Sequence, residues 1–457
     1  MDPPQVGRKK GGAGLRKSLF WMTIILLAGW TGIFSTPGAW GADKRINVLT
    51  LEDALGIALE KNKDIQKARE YKNSVEGRYI EERSAAFPQL QITGSVSRSR
   101  DESQKVYGRM FPLESESRSA EVGLSQALYT FGRVGAAIRA AKGGLATAED
   151  QMRIFRQAVI RDVSSSFYDI LLARELHGLA VQTLEQKVRH LDEARRKHAA
   201  GVATEYDVLA AEVAVQNARP EVIRKESLVR LSREKLKFLL GMNGQEVDVQ
   251  GTLEAGLAAP PRYEEAVQAA WKNRPELSDL NKRVEIAKEL VTIYGAGDKP
   301  RVDFRGGYGW REQIMGADKE NGQVWTAGIH LTFPFFDGLR TRGKVAQARS
   351  EVASLKIDEA RTRDSISLQV SEAVSACLEA GEIVIAISGT VKQAERLLFM
   401  AEKGYEYGVK TKLDVDDAEL NLTLAKGNLA RAKRDYLVAV VTFDWVKGML
   451  GEKVRSD

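Results

Sequence analysis

The chain has 457 residues, 43% apolar and 28% charged, which suits two or three ordinary folded domains or one extended architecture. Its formal charge is +6, but Arg8, Lys9, Lys10, Arg16 and Lys17, against Asp2, place most of that excess within residues 1–41. The nearly neutral remainder excludes a polyanion-binding surface, and with it a nucleic-acid partner.

Residues 1–41 read as a secretory signal peptide: a basic stretch, the apolar run LFWMTIILLAGW, then Pro37, Gly38 and the small residues Ala39 and Gly41. An uncleaved anchor is the rival, because residues 19–36 are long enough to span a bilayer. Pro37 and the small residues favour cleavage. No later run of eighteen consecutive apolar residues occurs, so no further helix is expected to cross the inner membrane. The single cysteine, Cys377, excludes an intramolecular disulfide.

The mature sequence is a tandem duplication. Glu52 and Glu264, Pro88 and Pro300, and Gly94 and Gly306 stand 212 residues apart. From Leu124/Leu331 through Asp207/Asp414 to GMNG (241–244) and GMLG (448–451) the offset is 207, which places a shorter loop in the second copy. The first copy covers residues 42–242, the linker 243–262 and the second copy 263–457.

The first copy opens with a helix over 50–86, stopped at Phe87-Pro88 by the restriction that proline places on its predecessor. A β-hairpin follows over 89–129, in which Leu90, Ile92 and Val96 alternate with Gln, Thr and Ser. Period-3/4 apolar residues then predict one helix over 132–199, at 1.5 Å per residue roughly 100 Å long. A turn at Gly201 leads to a returning helix over 203–240. Pro220 falls inside it, where it costs about 3 kcal/mol or marks a kink or break. Gly427 occupies the equivalent place in the second copy, so both returning helices are expected to bend there.

The second copy repeats the order: a helix, a hairpin over 301–335, a long helix over 339–406 and a returning helix over 411–449. In its hairpin Val302, Phe304, Tyr308 and Trp310 oppose Asp303 and Arg305, and Trp325, Ala327, Ile329, Leu331 and Phe333 oppose Thr326, Gly328, His330 and Thr332. Strands of about ten residues with an apolar, aromatic outer face have the pattern of a transmembrane β-barrel. Four strands leave open edges, which hydrocarbon does not tolerate; three chains would close a barrel of twelve. The fold class is therefore mainly α with a transmembrane β portion.

These features resemble the trimeric TolC-type outer-membrane efflux proteins, over Leu49 to about Gly451. The carriers are LTLEDALGIALEKN, LSQALYTFGR and LTFPFFDGLRTR, AGVATEYDVLAAE and YGVKTKLDVDDAE, and the GMxG pair. The resemblance implies a homotrimer in the outer membrane of a Gram-negative bacterium, with a 12-stranded β-barrel continuous with a long periplasmic α-barrel. It implies a passive exit duct for tripartite efflux or type I secretion, docked to a periplasmic adaptor and an inner-membrane transporter. By the same resemblance Gly201, Val202, Thr204, Gly408, Val409 and Thr411 form adaptor-docking tips. Asp414 and Asp417 would ring the pore constriction, a negative ring favouring cations, and crowding would raise some of their pKa values. Tyr405, Lys410 and Asp207 would latch the aperture, with Lys410 a point charge where the family's best-known member has arginine.

Asp414, Asp416 and Asp417 also suit the first turn after Thr411, where acids cap free N–H groups and favour the helix dipole. Trp310, Trp325 and Tyr308 are expected in a membrane girdle against outer-membrane lipid. The histidines at 177, 190, 198 and 330 show no ligand spacing and are expected on solvated helices or in the lumen; neither metal nor cofactor is expected. No nucleophile elbow, P-loop or dinucleotide fingerprint points to an enzyme. The alternative function is a membrane-anchored periplasmic adaptor with coiled-coil hairpins, although adaptors need more strands than the four that fit here.

Overall fold

A computed structural model describes residues 47–101, 105, 106, 109, 110, 113–254, 256, 257, 262–315 and 318–451. The signal-peptide reading of residues 1–41 lies outside the described residues, as do 255 and 258–261 of the expected linker. The chain runs β1 (Asn47–Leu49), α1 (Leu51–Lys61), α2 (Lys63–Ser84), β2 (Gln89–Asp101), β3 (Lys105–Val106), β4 (Arg109–Met110), β5 (Leu113–Tyr129), α3 (Arg133–Ala199), α4 (Glu205–Leu240) and β6 (Val247–Val249). It continues with α5 (Tyr263–Asn273), α6 (Pro275–Gly295), β7 (Arg301–Met315), β8 (Asp318–Thr332), α7 (Arg340–Glu406) and α8 (Lys412–Val446).

Three local expectations change. The helix expected over 50–86 is two helices, because Asn62 takes an extended conformation between α1 and α2. Its Oδ1 accepts the N–H groups of Asp64 at 2.8 Å and Ile65 at 3.3 Å, while its Nδ2 donates to the Leu239 carbonyl at 2.7 Å. Asparagine is a preferred N-cap, so the break is built into the sequence. Part of the expected linker is β6, which pairs in parallel with β1 from Asn47↔Val247 to Leu49↔Val249. The break expected at Pro220 is absent: α4 is one helix across it. Pro220 and Gln216 are both exposed, so the Gln216 carbonyl, which loses its helical partner, is open to water. α8 likewise runs unbroken through Gly427.

α3 and α7 are each 67 residues long. α3 and α4 form one antiparallel hairpin, and α7 and α8 form the other. Around the waist Leu49, Leu55, Val163, Ile170, Leu236, Leu240, Val247 and Val249 bury one core. Val267, Leu277, Ile366, Val370 and Phe443 bury its counterpart in the second copy. Each hairpin ends on a glycine seated against that waist: a Cβ on Gly241 would lie 2.5 Å from the Lys61 carbonyl oxygen, and one on Gly448 2.7 Å from Asn273 backbone.

The other end carries a four-stranded antiparallel sheet in the order β2-β5-β7-β8. Its register sets Ile92, Val122, Tyr308 and Trp325 in one row across all four strands. Their exposures are 83%, 47%, 57% and 73%, so the apolar face looks outward. The opposite face presents Gln91, Glu121, Gly123, Arg305 and Thr326 to a concavity of about 1530 Å³. β2 and β8 are the two open edges.

Candidate functional site

The far ends of the helical hairpins are built twice from one local device. Gly201 (φ +73°) and Gly408 (φ +72°) take the left-handed conformation that glycine adopts without steric cost. The Val202 N–H donates to the Lys197 carbonyl at 2.9 Å, and the Val409 N–H donates to the Gly404 carbonyl at 2.8 Å. These six-to-one bonds are Schellman C-caps. Three residues after each glycine a threonine starts the returning helix with a capping box. Thr204 donates its N–H and hydroxyl to Asp207 Oδ2 at 2.8 and 2.7 Å. Thr411 does the same to Asp414 Oδ2, both at 2.8 Å. Val202 and Val409 stand on the exposed crest of each turn.

Asp414 is therefore a structural cap. The Thr411 N–H, then its hydroxyl, then Lys410, whose Nζ lies 3.2 Å from Oδ1, hold its carboxyl below the usual range. The Thr204 hydroxyl and N–H lower Asp207 in the same way. Asp417, three residues on, is exposed and makes no hydrogen bond or ion pair among the described residues. The expected latch trio is not brought together within one chain. Lys410 is engaged with Asp414, Asp207 with Thr204, and Tyr405 accepts a hydrogen bond from Lys197 Nζ at 3.2 Å, with the same ammonium 5.3 Å from its ring centroid.

Sequence reasoning missed a polar cluster between α3, about three turns before its end, and the first two turns of α8. Lys187 Nζ reaches Asp416 Oδ1 at 3.0 Å and Glu419 Oε2 at 3.2 Å. Between them His190 has Nε2 at 3.3 Å from Glu419 Oε1 and Nδ1 at 2.8 Å from Lys412 Nζ. His190 is thus not a solvated helix residue: burial, then the Lys412 charge, hold its pKa below the ordinary value. One imidazole and two carboxylates within 4.8 Å could hold a divalent cation. Two lysine ammonium groups already sit on these same atoms and balance both carboxylates, so the cluster is not assigned as a metal centre. The signal available in the sequence was acids four and seven residues after Lys412 and a Lys/His pair three apart, each set on one helical face. Which turn of α3 meets which turn of α8 is not a local property.

At the opposite end, Tyr308 and Trp325 are directly opposed on β7 and β8, and Trp310 projects from the same face. The sheet and the tips are the two ends of a chain-length scaffold, one apolar on its outside and one charged.

Residues 54–242 and again 266–446 match the family described as outer membrane efflux protein. The outer membrane protein TolC of Vibrio cholerae is 23% identical over 386 residues, covering 82% of this chain and 85% of that one. Nodulation protein T of Rhizobium leguminosarum bv. trifolii is 26% identical over 418 residues, covering 88% and 85%. The CmeC outer membrane channel of Campylobacter jejuni has the same fold, with a TM-score of 0.77 at 16% identity over 87% of this chain and 85% of that one. Both copies match, strands included, which sets aside the adaptor alternative. The chain belongs to the outer membrane efflux protein family: it is an outer-membrane channel for efflux or secretion, not an enzyme.

Proposed function

We propose that three copies of the chain close into one passive exit duct, with a twelve-stranded barrel in the outer membrane and a helical tube below it. The observation that carries this reading is the four-stranded sheet, apolar on its outer row and open at β2 and β8. Unpaired edges cannot face hydrocarbon, and pairing β8 of one copy with β2 of the next satisfies both. Trp310, Trp325 and Tyr308 then sit against lipid as a girdle. The helices support the same assembly. One stretch of α7 is apolar enough to cross a membrane but is largely exposed in a single chain, with Ile383 and Ile385 uncovered, as are Leu397 and Phe399 further along the helix. Neighbouring copies in a closed tube would cover such a face.

At the tips, threefold assembly gathers Asp414 and Asp417 into a carboxylate ring at the pore constriction. Asp414 stays ionised because its cap holds the charge, and the exposed Asp417 adds a second carboxylate from each copy. Tyr405, Lys410 and Asp207 would act as a latch through contacts between copies, and Lys410 must leave Asp414 to do so. The exposed turns Gly201, Val202, Thr204 and Gly408, Val409, Thr411 offer the surface for a periplasmic adaptor, which joins the duct to an inner-membrane transporter that selects the cargo.

The test is ion selectivity of the purified protein in planar bilayers. Wild type should prefer cations, and Asp414→Asn with Asp417→Asn, which keeps the cap acceptor, should lower the cation-to-anion permeability ratio several-fold. An unchanged ratio removes the ring from the gate. A monomer in detergent that never cross-links to three copies removes the duct.

A further inference from the structure

We propose that the His190 cluster is a pH-sensitive clasp that holds the α7–α8 hairpin against α3 at neutral pH and releases it on acidification. The proposal deepens the duct reading above, since it rests on the tips being the part that opens.

The geometry sets a cation against the ring. Glu419 Oε1 lies 3.3 Å from Nε2, Asp416 Oδ1 lies 3.8 Å from Nδ1, and the Lys412 ammonium lies 2.8 Å from Nδ1 and 3.2 Å from Nε2. An ammonium can donate to the lone pair of a neutral imidazole but has none with which to accept a second ring proton. Protonating His190 therefore sets two cations in contact, and Lys412 is the α8 end of that contact.

Charge gives the same answer. From α3 the cluster is faced by Lys187, with Glu193 and Lys197 one and two turns on; α8 contributes Lys412, Asp416 and Glu419; and α7 contributes Tyr405, on Lys197. Glu212 of α4 is tied to Arg195. Lys187 and Lys412 balance Asp416 and Glu419, so a charged imidazole adds an unmatched cation. Near the tips the buried apolar residues Ala401, Val415 and Ala418 join α7 to α8. The ion pairs and hydrogen bonds from α3 to the second hairpin at this level are contacts of the kind that a proton can undo.

The direction follows from linkage. A histidine depressed in the closed form leaves the clasp at full strength above its ordinary value of about 6.5. Below that value the released form takes the proton first, and closure weakens until the depressed pKa is passed.

Full-length protein with Cys377→Ser, Val188→Cys and Leu420→Cys, spin-labelled at the two exposed new cysteines, reports the α3–α8 distance, while bilayer conductance reports the gate. Between pH 7.5 and pH 5.5 the distance should lengthen and broaden, and conductance of the unlabelled channel should rise several-fold. His190→Gln should flatten both profiles. Lys412→Met removes the facing cation, lets the closed form accept the imidazole proton, and should shrink the distance step or move it to lower pH. A distance that ignores pH, or a step that His190→Gln leaves in place, overturns the clasp. A His190-dependent distance step with unchanged conductance supports the clasp and counts against the gate reading instead.

Discussion

The two hairpin tips share a frame and differ in charge. Gly201, Thr204, Asp207 and Val208 have Gly408, Thr411, Asp414 and Val415 as counterparts, 207 residues on. Both sets make the same Schellman turn and the same capping box. Around them Ala203 faces Lys410, Glu205 faces Lys412, Leu209 faces Asp416 and Ala210 faces Asp417. The retained positions are those that satisfy backbone N–H and C=O groups, which every hairpin end must do. The divergent positions are free of that duty: all four are charged in the second copy, and only Glu205 is in the first. Asp414 lies in both categories, since a cap that holds a carboxylate ionised also delivers a charge to wherever the turn points.

The largest stability effect should therefore be the same at both tips. Gly201→Val or Gly408→Val forces a β-branched residue into the left-handed region, at a cost of about 1–2 kcal/mol. Amide hydrogen exchange of the tip peptides should accelerate to a similar extent in either variant. An effect at only one tip would show that the shared turn is not what holds both.

Thr204→Ala and Thr411→Ala come next, each removing a cap worth about 1 kcal/mol. Exchange should speed up in the first turn of α4 or α8. The comparison sharpens here: Thr411→Ala should also lower cation selectivity, because Asp414 loses the hydroxyl that helps to hold and orient it, whereas Thr204→Ala should leave selectivity alone. Equal loss of selectivity would place Asp207 in the pore as well.

What could be read from the sequence follows the same division between local and distant causes. The tips were legible because Gly-Val-x-Thr-x-x-Asp encodes its own hydrogen bonds within a few residues and appears twice. The outward row of Ile92, Tyr308 and Trp325 was legible because strand faces alternate with period two. Asn62 was missed because the helical period runs straight through it, and only its cap bonds and its reach to the Leu239 carbonyl reveal the break. Pro220 does not break α4, since the Gln216 carbonyl that it leaves without a helical partner belongs to an exposed residue. His190 was misplaced for a third reason: its partners Lys412 and Glu419 lie more than 220 residues away, and no periodicity in either helix sets the register between them.

The smallest difference between the tips is Lys410, which the first copy replaces with Ala203. Asp414 is depressed first by the Thr411 N–H, second by the Thr411 hydroxyl and only third by Lys410. A depressed carboxyl contributes stability that is present above its unfolded value, near 3.8, and lost as pH falls through the folded one. Both tips should accordingly soften below about pH 4, Asp207 and Asp414 alike. Lys410→Met should shift the acid softening of the α8 peptide slightly upward in pH and leave the α4 peptide where it was. Exchange rates corrected for intrinsic pH dependence would read both peptides in one sample. The shift should be small, because the exposed Lys410–Asp414 pair is screened by solvent and salt. A shift as large as that of Thr411→Ala would mean that the ion pair, rather than the capping box, holds the second tip's charge, and the likeness of the two tips would then be one of sequence only.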